Sequence, residues 1–235
     1  MNLLAFDTST DVMSLAVQRT QDGVAELWQH TAPGGAQTSA NLIPAIQQLM
    51  AQAQLQFSQL DAIVFGCGPG SFTGLRTACA VAQGLAFGVK VPVLPVDTLL
   101  AVAEDARHTH AAAQDRFEVT ALLDARMDEM YAACYVFDSG RWTPTQGHSL
   151  IRPEDLVGHA GSAWVGNVFA VYGTRLPDTG ALRLDALPTA AALLRLAPAL
   201  LAAGAAVPAD QALPLYVRDK VAKTTAERAA EKAAL

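Results

Sequence analysis

Leu3-Leu4-Ala5-Phe6-Asp7-Thr8-Ser9-Thr10-Asp11-Val12-Met13-Ser14-Leu15-Ala16-Val17 opens the chain with two apolar runs joined by a turn of hydroxyls and carboxylates. Asp22-Gly23 is a hairpin signal, and Val24 to Thr31 makes a third strand, so the spacing predicts a three-stranded meander. The same opening recurs. Leu122-Leu123-Asp124 mirrors Ala5-Phe6-Asp7, and the pairs Asp7/Asp124, Asp11/Asp128 and Met13/Met130 share one offset of 117. That offset is half of 235 residues, as a duplicated unit would give. Arg141 to Leu150 supplies the third strand of the second copy. Polar, Ala-rich His108 to Arg116 marks the boundary, giving units at 1–107 and 116–235.

Between the first meander and that boundary the pattern alternates. A helix starts near Thr38 or Ser39, with Leu42, Ile46, Leu49, Met50 and Ala53 on one face. Asp61 to Phe65 is a buried strand running into Gly66-Cys67-Gly68-Pro69-Gly70-Ser71-Phe72-Thr73-Gly74, and a second helix extends to about Phe87. Val91 to Val96 is the next strand, and Asp97-Thr98 caps a third helix through about Ala106. The order βββαβαβα is a mixed α/β layer fold. The second half departs from the first: Pro153-Glu154-Asp155 opens a short helix, Ser162 to Gly166 is a strand, and Pro188 to Ala206 is helical. Pro214 to Arg218 reads as a docked segment, and Thr224 with Glu227 as a capping box for a last charged helix.

Composition narrows the function. Apolar types make up 51% of the chain and charged types 16%, below the roughly 25% of an ordinary soluble domain. The net charge of −6 excludes a strongly basic nucleic-acid binder. Low charge leaves two alternatives, a large core or apolar surface meant for a partner. Cys67, Cys79 and Cys134 form no CxxC pair, so neither a disulfide framework nor a zinc site is signalled. The N-terminus lacks a basic region before its apolar run, and Arg195 and Pro198 interrupt the Ala/Leu-rich stretch from Thr189 to Pro208. The expectation is a cytoplasmic protein with no membrane segment.

The glycine loop is the sharpest motif. A strand feeding Gly66, Gly68, Gly70, Ser71, Thr73 and Gly74 before a helix offers amide N–H groups to an anion. It fits neither standard phosphate fingerprint: the Gly-Lys-Ser/Thr element is missing, and Ser71 and Thr73 stand where a third glycine would. Two readings stay open, a cradle for phosphate or another chain's backbone, and a tight turn that only glycines can make. The following helix is built of Gly74, Ala78, Ala80, Ala82, Gly84 and Ala86 between larger residues, which suits core packing plus a subunit contact. Asp7 and Asp124 at equivalent strand ends suit a metal-bound nucleotide or, better, ordinary turn capping. Ser71 has no His or Asp placed by sequence to activate it, and the five histidines are scattered.

Leu4 to Thr10, Gly66 to Arg76 with Ala82-Gln83-Gly84-Leu85-Ala86, Asp124-Ala125-Arg126-Met127 with Glu129 and Tyr131, and Tyr216-Val217-Arg218 with Val221-Ala222 together resemble the TsaB (YeaZ) family across nearly the whole chain. The resemblance implies the actin-like (ASKHA) duplicated, ribonuclease-H-like two-lobe fold. It implies an accessory subunit, not an enzyme on its own, of the machinery that places threonylcarbamoyl on N6 of the adenosine beside the anticodon of tRNAs reading ANN codons. Catalysis then belongs to the paralogue TsaD, which carries a metal-binding His motif on its first helix, and the ATPase TsaE joins them. Gly35 to Ala40 here contains no His. ATP and metal are accordingly expected on the partner subunits, with no cofactor on this chain and tRNA engaged through the complex.

In that family the dimer forms through the first two helices. Carried over, these are Thr38–Ala53 and Phe72–Phe87, with Leu42, Ile46, Leu49, Met50, Leu75 and Cys79 as expected contacts chosen by periodicity, and a homodimer through the same surface is expected of the lone chain. Two other classes follow from the wider group. One is a glycoprotease-like peptidase, which needs a nucleophile or metal; the other is an ATP-dependent small-molecule kinase, which needs a nucleotide between the lobes.

Overall fold

The computed structural model describes residues 1–158 and 161–218, so the capping box at Thr224, the Val221-Ala222 part of the C-terminal signature and His159 lie outside the described residues. Strands β1 (Leu3–Asp7), β2 (Val12–Gln21) and β3 (Val24–Pro33) form the first meander. Helix α1 (Thr38–Gln52), β4 (Ala62–Gly68), α2 (Phe72–Val89), β5 (Val93–Asp97) and α3 (Thr98–His110) follow. The second meander is β6 (Arg116–Arg126), β7 (Glu129–Asp138) and β8 (Arg141–Ile151). After it come β9 (Ala163–Gly166), α4 (Phe169–Tyr172), β10 (Arg183–Asp185) and α5 (Ala190–Ala202).

The two sheets have one topology. The first runs β3-β2-β1-β4-β5, and the second, taken from its opposite edge, runs β8-β7-β6-β9-β10. In both, the meander is antiparallel and the last two strands add in parallel to the meander's first strand. This is the duplicated α/β two-lobe arrangement. The second copy is shortened where the first has helices: a 3-10 turn at Pro153–Asp155 stands for α1, and the four residues of α4 stand for the eighteen of α2.

Each sheet buries two apolar faces, which explains most of the low charge. Leu4, Phe6, Met13, Leu15, Ile63 and Phe65 pack against α1 and α2. The reverse face, with Leu3, Ala5, Val64 and Leu94, takes α5. Helix α3, although it follows β5, lays Leu99, Val102 and Ala106 on Val119, Ala121 and Leu123 of the second sheet. Thus α3 and α5 cross between the sheets and form one shared middle layer. Full burial of each large apolar side chain is worth about 1.5–3 kcal/mol, and the crossing doubles the number of faces covered. Glu104 of α3 ties the layer together: it accepts from Arg107 of its own helix, Arg195 of α5 and the Trp142 indole of β8.

The residue pairs at offset 117 need one correction. Ala5 faces the middle layer, whereas Leu122, its counterpart by that offset, faces α4 with Met130 and Trp164. Strand side chains alternate, so an error of one residue reverses every side chain. The meanders are repeats of one another; the paired side chains point to opposite faces. A second correction concerns the boundary: α3 continues through His108 to His110, so those histidines lie on its last turn and not in a linker.

Candidate functional site

The glycine loop cradles this chain's own backbone. A Cβ on Gly74 would sit 1.8 Å from the Thr8 carbonyl oxygen, one on Gly70 would strike Ser9, and one on Gly66 would overlap the Asp7 carboxylate. Gly68, at φ +125°, lies under the Leu215 carbonyl at 2.4 Å from such a Cβ. The loop therefore receives two segments, the turn Asp7–Thr10 and a C-terminal strap. The Ser71 amide donates to the Ser9 carbonyl, the Gly68 amide to Thr98 Oγ1, and the Thr8 hydroxyl to the Gly74 carbonyl.

Asp7 and Asp124 both do turn chemistry. Asp7 Oδ1 accepts from the amide and hydroxyl of Ser9, and Asp124 Oδ1 accepts from the amide of Arg126 and the hydroxyl of Tyr172. Asp7 is buried and its Oδ2 has no hydrogen-bond partner. Burial raises its pKa to about 6 against the opposing pull of Ser9 and the nearby Thr98 hydroxyl.

The strap runs from Ala212 to Arg218 along the first lobe and across to the second. The Leu215 amide donates to the Cys67 carbonyl, while Cys79 Sγ and Gln83 Nε2 both donate to the Ala212 carbonyl. Tyr216 packs on Phe72 with ring centroids 5.4 Å apart and accepts from Arg76 Nε. Arg218 then reaches the second lobe, donating to the carbonyls of Ala125 and Arg126 and to Glu129. Arg126 returns across the gap to Asp11. Beneath the strap lies a cleft of about 530 Å³ between the lobes, with Ser71, Leu75, Leu123, Tyr131 and Asn167 in its walls.

The two long helices of the first lobe present two distinct faces. Leu42, Ile46, Leu49, Met50, Leu75 and Cys79 are all buried within this chain. All but Leu75 belong to the core packed on the first sheet, and Leu75 lines the cleft, so the residues that periodicity selects as partner contacts are buried in the chain's own fold. The outward face of α2 carries Thr73, Arg76, Ala80, Gly84, Phe87 and Gly88, and Ile43 is exposed on α1. Among the described residues nothing lies within 4 Å of a Cβ built on Gly84, and Phe87 is 79% exposed.

Residues 29–171 match the family model of TsaD, tRNA N6-adenosine threonylcarbamoyltransferase. The tRNA threonylcarbamoyladenosine biosynthesis protein TsaB of Haemophilus influenzae is 32% identical, over 94% of this chain and 95% of that protein. The TsaB of Escherichia coli is 30% identical, over 94% and 96%. The chain belongs to the TsaB family. The solved structure of YeaZ from Pseudomonas aeruginosa superposes with a TM-score of 0.79 at 38% identity, covering 92% of this chain and 99% of that one.

In this TsaB-family chain the four signature stretches meet in space. The turn after Asp7, the glycine loop, the turn after Asp124 and Tyr216-Val217-Arg218 all border the inter-lobe cleft. Periodicity cannot find such a meeting, because it depends on the strap returning to Arg76 from 140 residues further along the chain. A further cluster was also invisible in sequence. Asp97 Oδ2 accepts from Tyr135 at 2.5 Å and lies 3.0 Å from His148 Nε2, joining the end of β5 to β7 and β8. That carboxylate raises the His148 pKa above the usual imidazole value.

No hydrogen bond joins Ser71 Oγ to a His or a carboxylate among the described residues. Burial, with Asp97 nearby, pushes the Cys67 thiol to about 12, far from a reactive thiolate.

Proposed function

We propose that this chain is the accessory subunit of the assembly that forms N6-threonylcarbamoyladenosine beside the anticodon of tRNAs reading ANN codons. It binds a TsaD paralogue and holds it in a competent state, without carrying the transfer chemistry itself. One observation supports this most: the outward stripe of α2, Thr73-Ala80-Gly84-Gly88, is small, exposed and uncovered among the described residues. Gly inside a helix costs about 1 kcal/mol relative to Ala, and at Gly84 no contact among the described residues offsets it. A second helix approaching closely would. Phe87 on α2 and Ile43 on α1 are exposed apolar side chains that can serve as anchors, and the expected contact helices are retained while the proposed contact face is the opposite one.

ATP, metal and most of the tRNA affinity are assigned to the partner subunits, TsaE among them, in keeping with the net charge of −6. The site of action is the cytoplasm, where tRNA is modified. The kinase alternative places a nucleotide at the Asp7 turn; there the glycine loop is filled by Thr8 and Ser9. The peptidase alternative lacks an activated Ser71 or Cys67.

The test is exchange. Purified chain, self-associated or not, should form a heterodimer when the paralogue is added, seen as a shifted peak on a sizing column. No shift at micromolar concentrations contradicts the assignment. Calorimetry with ATP and magnesium on the isolated chain should be silent; tight binding with turnover would favour the kinase.

A further inference from the structure

The cleft between the lobes is walled in part by polar groups left without partners among the described residues. It holds about 530 Å³, within the roughly 300–1,000 Å³ of small-molecule sites. Tyr131 of β7 stands in its wall with only 8% of its surface exposed. The Tyr131 hydroxyl has no hydrogen-bond partner among the described residues, although a buried tyrosine O–H is ordinarily paired. Burial holds this phenol above the usual tyrosine value, so at neutral pH it keeps its proton to donate.

Two further donors line the same space. Asn167 Oδ1 accepts from the Asp124 amide, which fixes the side-chain amide and leaves Nδ2 without a partner among the described residues. Ser71 is the N-cap of α2, yet its hydroxyl caps nothing, and no acidic residue stands in the first turn. The first amides of this 18-residue helix therefore keep the partial positive charge of a helix start. Ser71 and Phe72 bring that end into the cleft wall.

The charged groups of the cleft are already committed. Arg126 pairs with Asp11 and Asp124, and Arg218 with Glu129. A diphosphate would bring several negative charges to guanidiniums that carboxylates neutralise. Three neutral donors and a helix start suit a single negative charge spread over two acceptor oxygens, which is a carboxylate. Much of the remaining wall is aliphatic, with Leu75 and Leu123 from the two lobes and Leu215 and Val217 from the strap.

We propose that the inter-lobe cleft binds a small-molecule monocarboxylate with an aliphatic body. Tyr131, Asn167 and the Ser71 end of α2 hold the carboxylate, and Leu75, Leu123, Leu215 and Val217 cover the body. Because these walls come from both lobes and the strap, occupancy ties all three together. The site does not depend on the partner reading of α2.

The probe is N-acetyl-L-leucine, titrated by NMR into the full nitrogen-15-labelled chain. Its neutral counterpart N-acetyl-L-leucinamide and adenosine diphosphate are titrated in parallel. The probe should cause saturable shifts of the Asn167 side-chain amide and of the Ser71 and Phe72 amides, and raise the melting temperature with concentration. The neutral amide should bind at least tenfold more weakly. Tyr131→Phe keeps the ring in place and should weaken the probe about tenfold or more, as loss of a hydrogen bond to a charged group does. Asn167→Asp keeps the acceptor for the Asp124 amide but exchanges the donor for a negative charge, and it should abolish saturation. Melting curves without probe establish that both variants are folded. Absence of saturable shifts at millimolar probe overturns the proposal, as does equal binding of the neutral amide. Unchanged affinity in Tyr131→Phe or in a folded Asn167→Asp overturns it too, and saturation by adenosine diphosphate alone would put a phosphate ligand in its place.

Discussion

Replacing glycine by alanine at two positions of α2 should move stability in opposite directions. At Gly84 the new methyl enters open space, since no described residue lies within 4 Å, and the helix gains about 1 kcal/mol of propensity. At Gly74 the methyl would lie 1.8 Å from the Thr8 carbonyl oxygen, a backbone atom that cannot swing aside like a side-chain tip. Relief requires the Asp7–Thr10 turn to retreat by roughly 1.5 Å, at the about 1–3 kcal/mol typical of overpacking. The bond from the Thr8 hydroxyl to the Gly74 carbonyl goes with it, a further loss of about 0.5–1.5 kcal/mol. Gly74 lies in the first turn of α2, so the propensity gain recovers at most about 1 kcal/mol. The net loss at Gly74 is about 2–3 kcal/mol. For a chain of this size each kcal/mol shifts the melting temperature by about 2–4 °C. Gly74→Ala should therefore melt roughly 4–12 °C below the parent, and Gly84→Ala about 2–4 °C above it, by calorimetric or circular-dichroism melts. A Gly74→Ala variant as stable as the parent would refute the reading of the loop as a cradle for the Asp7 turn.

Other consequences follow from the buried polar groups. Glu104→Ala strands Arg107, Arg195 and the Trp142 indole at the shared helix layer, and denaturant titration should show a loss of about 3–5 kcal/mol. Asp7 ionises at about 6 in the folded chain against 3.8 unfolded, so its share of stability is full below pH 3.8 and lost as pH rises through 6. That difference corresponds to about 3 kcal/mol. Asp7→Asn keeps the Oδ1 acceptor for Ser9, and it should be more stable than the parent at pH 8 with the advantage vanishing toward pH 4; a constant difference across that range would sink the claim. His148 should titrate above the usual imidazole range by NMR and return to it in Asp97→Asn, because the carboxylate beside it favours the charged ring.

Much of the fold was legible because its strands alternate strongly. The meander from Leu3, its repeat from Leu122 and the strand at Asp61 carry buried runs bounded by turn residues, and the structure places them where the pattern does. α4 and β10 were missed, since four and three residues are too few to show a period. The Asp7/Asp124 equivalence was correct in turn chemistry and off by one in face. Turn capping depends on local spacing, whereas the face depends on how the hairpin closes, and β6 against β7 shifts register between Asp124 and Arg126.

The residues that periodicity selects on α1 and α2 are buried for a physical reason. Hydrophobic periodicity finds the side of a helix that leaves water first, and for Leu42, Ile46 and Leu75 that side is the chain's own core. A face made for another helix can be small instead of apolar, and Ala and Gly line both sides of α2. Only the packing around each glycine separates them: Gly74 is enclosed and Gly84 is open. The signature at Tyr216 to Arg218 was legible as a docked segment, but its bridging of α2 to the second lobe emerges only from the contacts to Arg76 and Glu129.

The most direct test is reconstitution of tRNA modification. N6-threonylcarbamoyladenosine should form on an ANN-decoding tRNA when the paralogue and ATPase subunits are supplied with this chain. Formation should collapse when the chain is omitted or replaced by Gly84→Leu. Full modification without the chain, or undiminished modification with a Gly84→Leu variant confirmed to be folded, would contradict an accessory subunit acting through the outward face of α2.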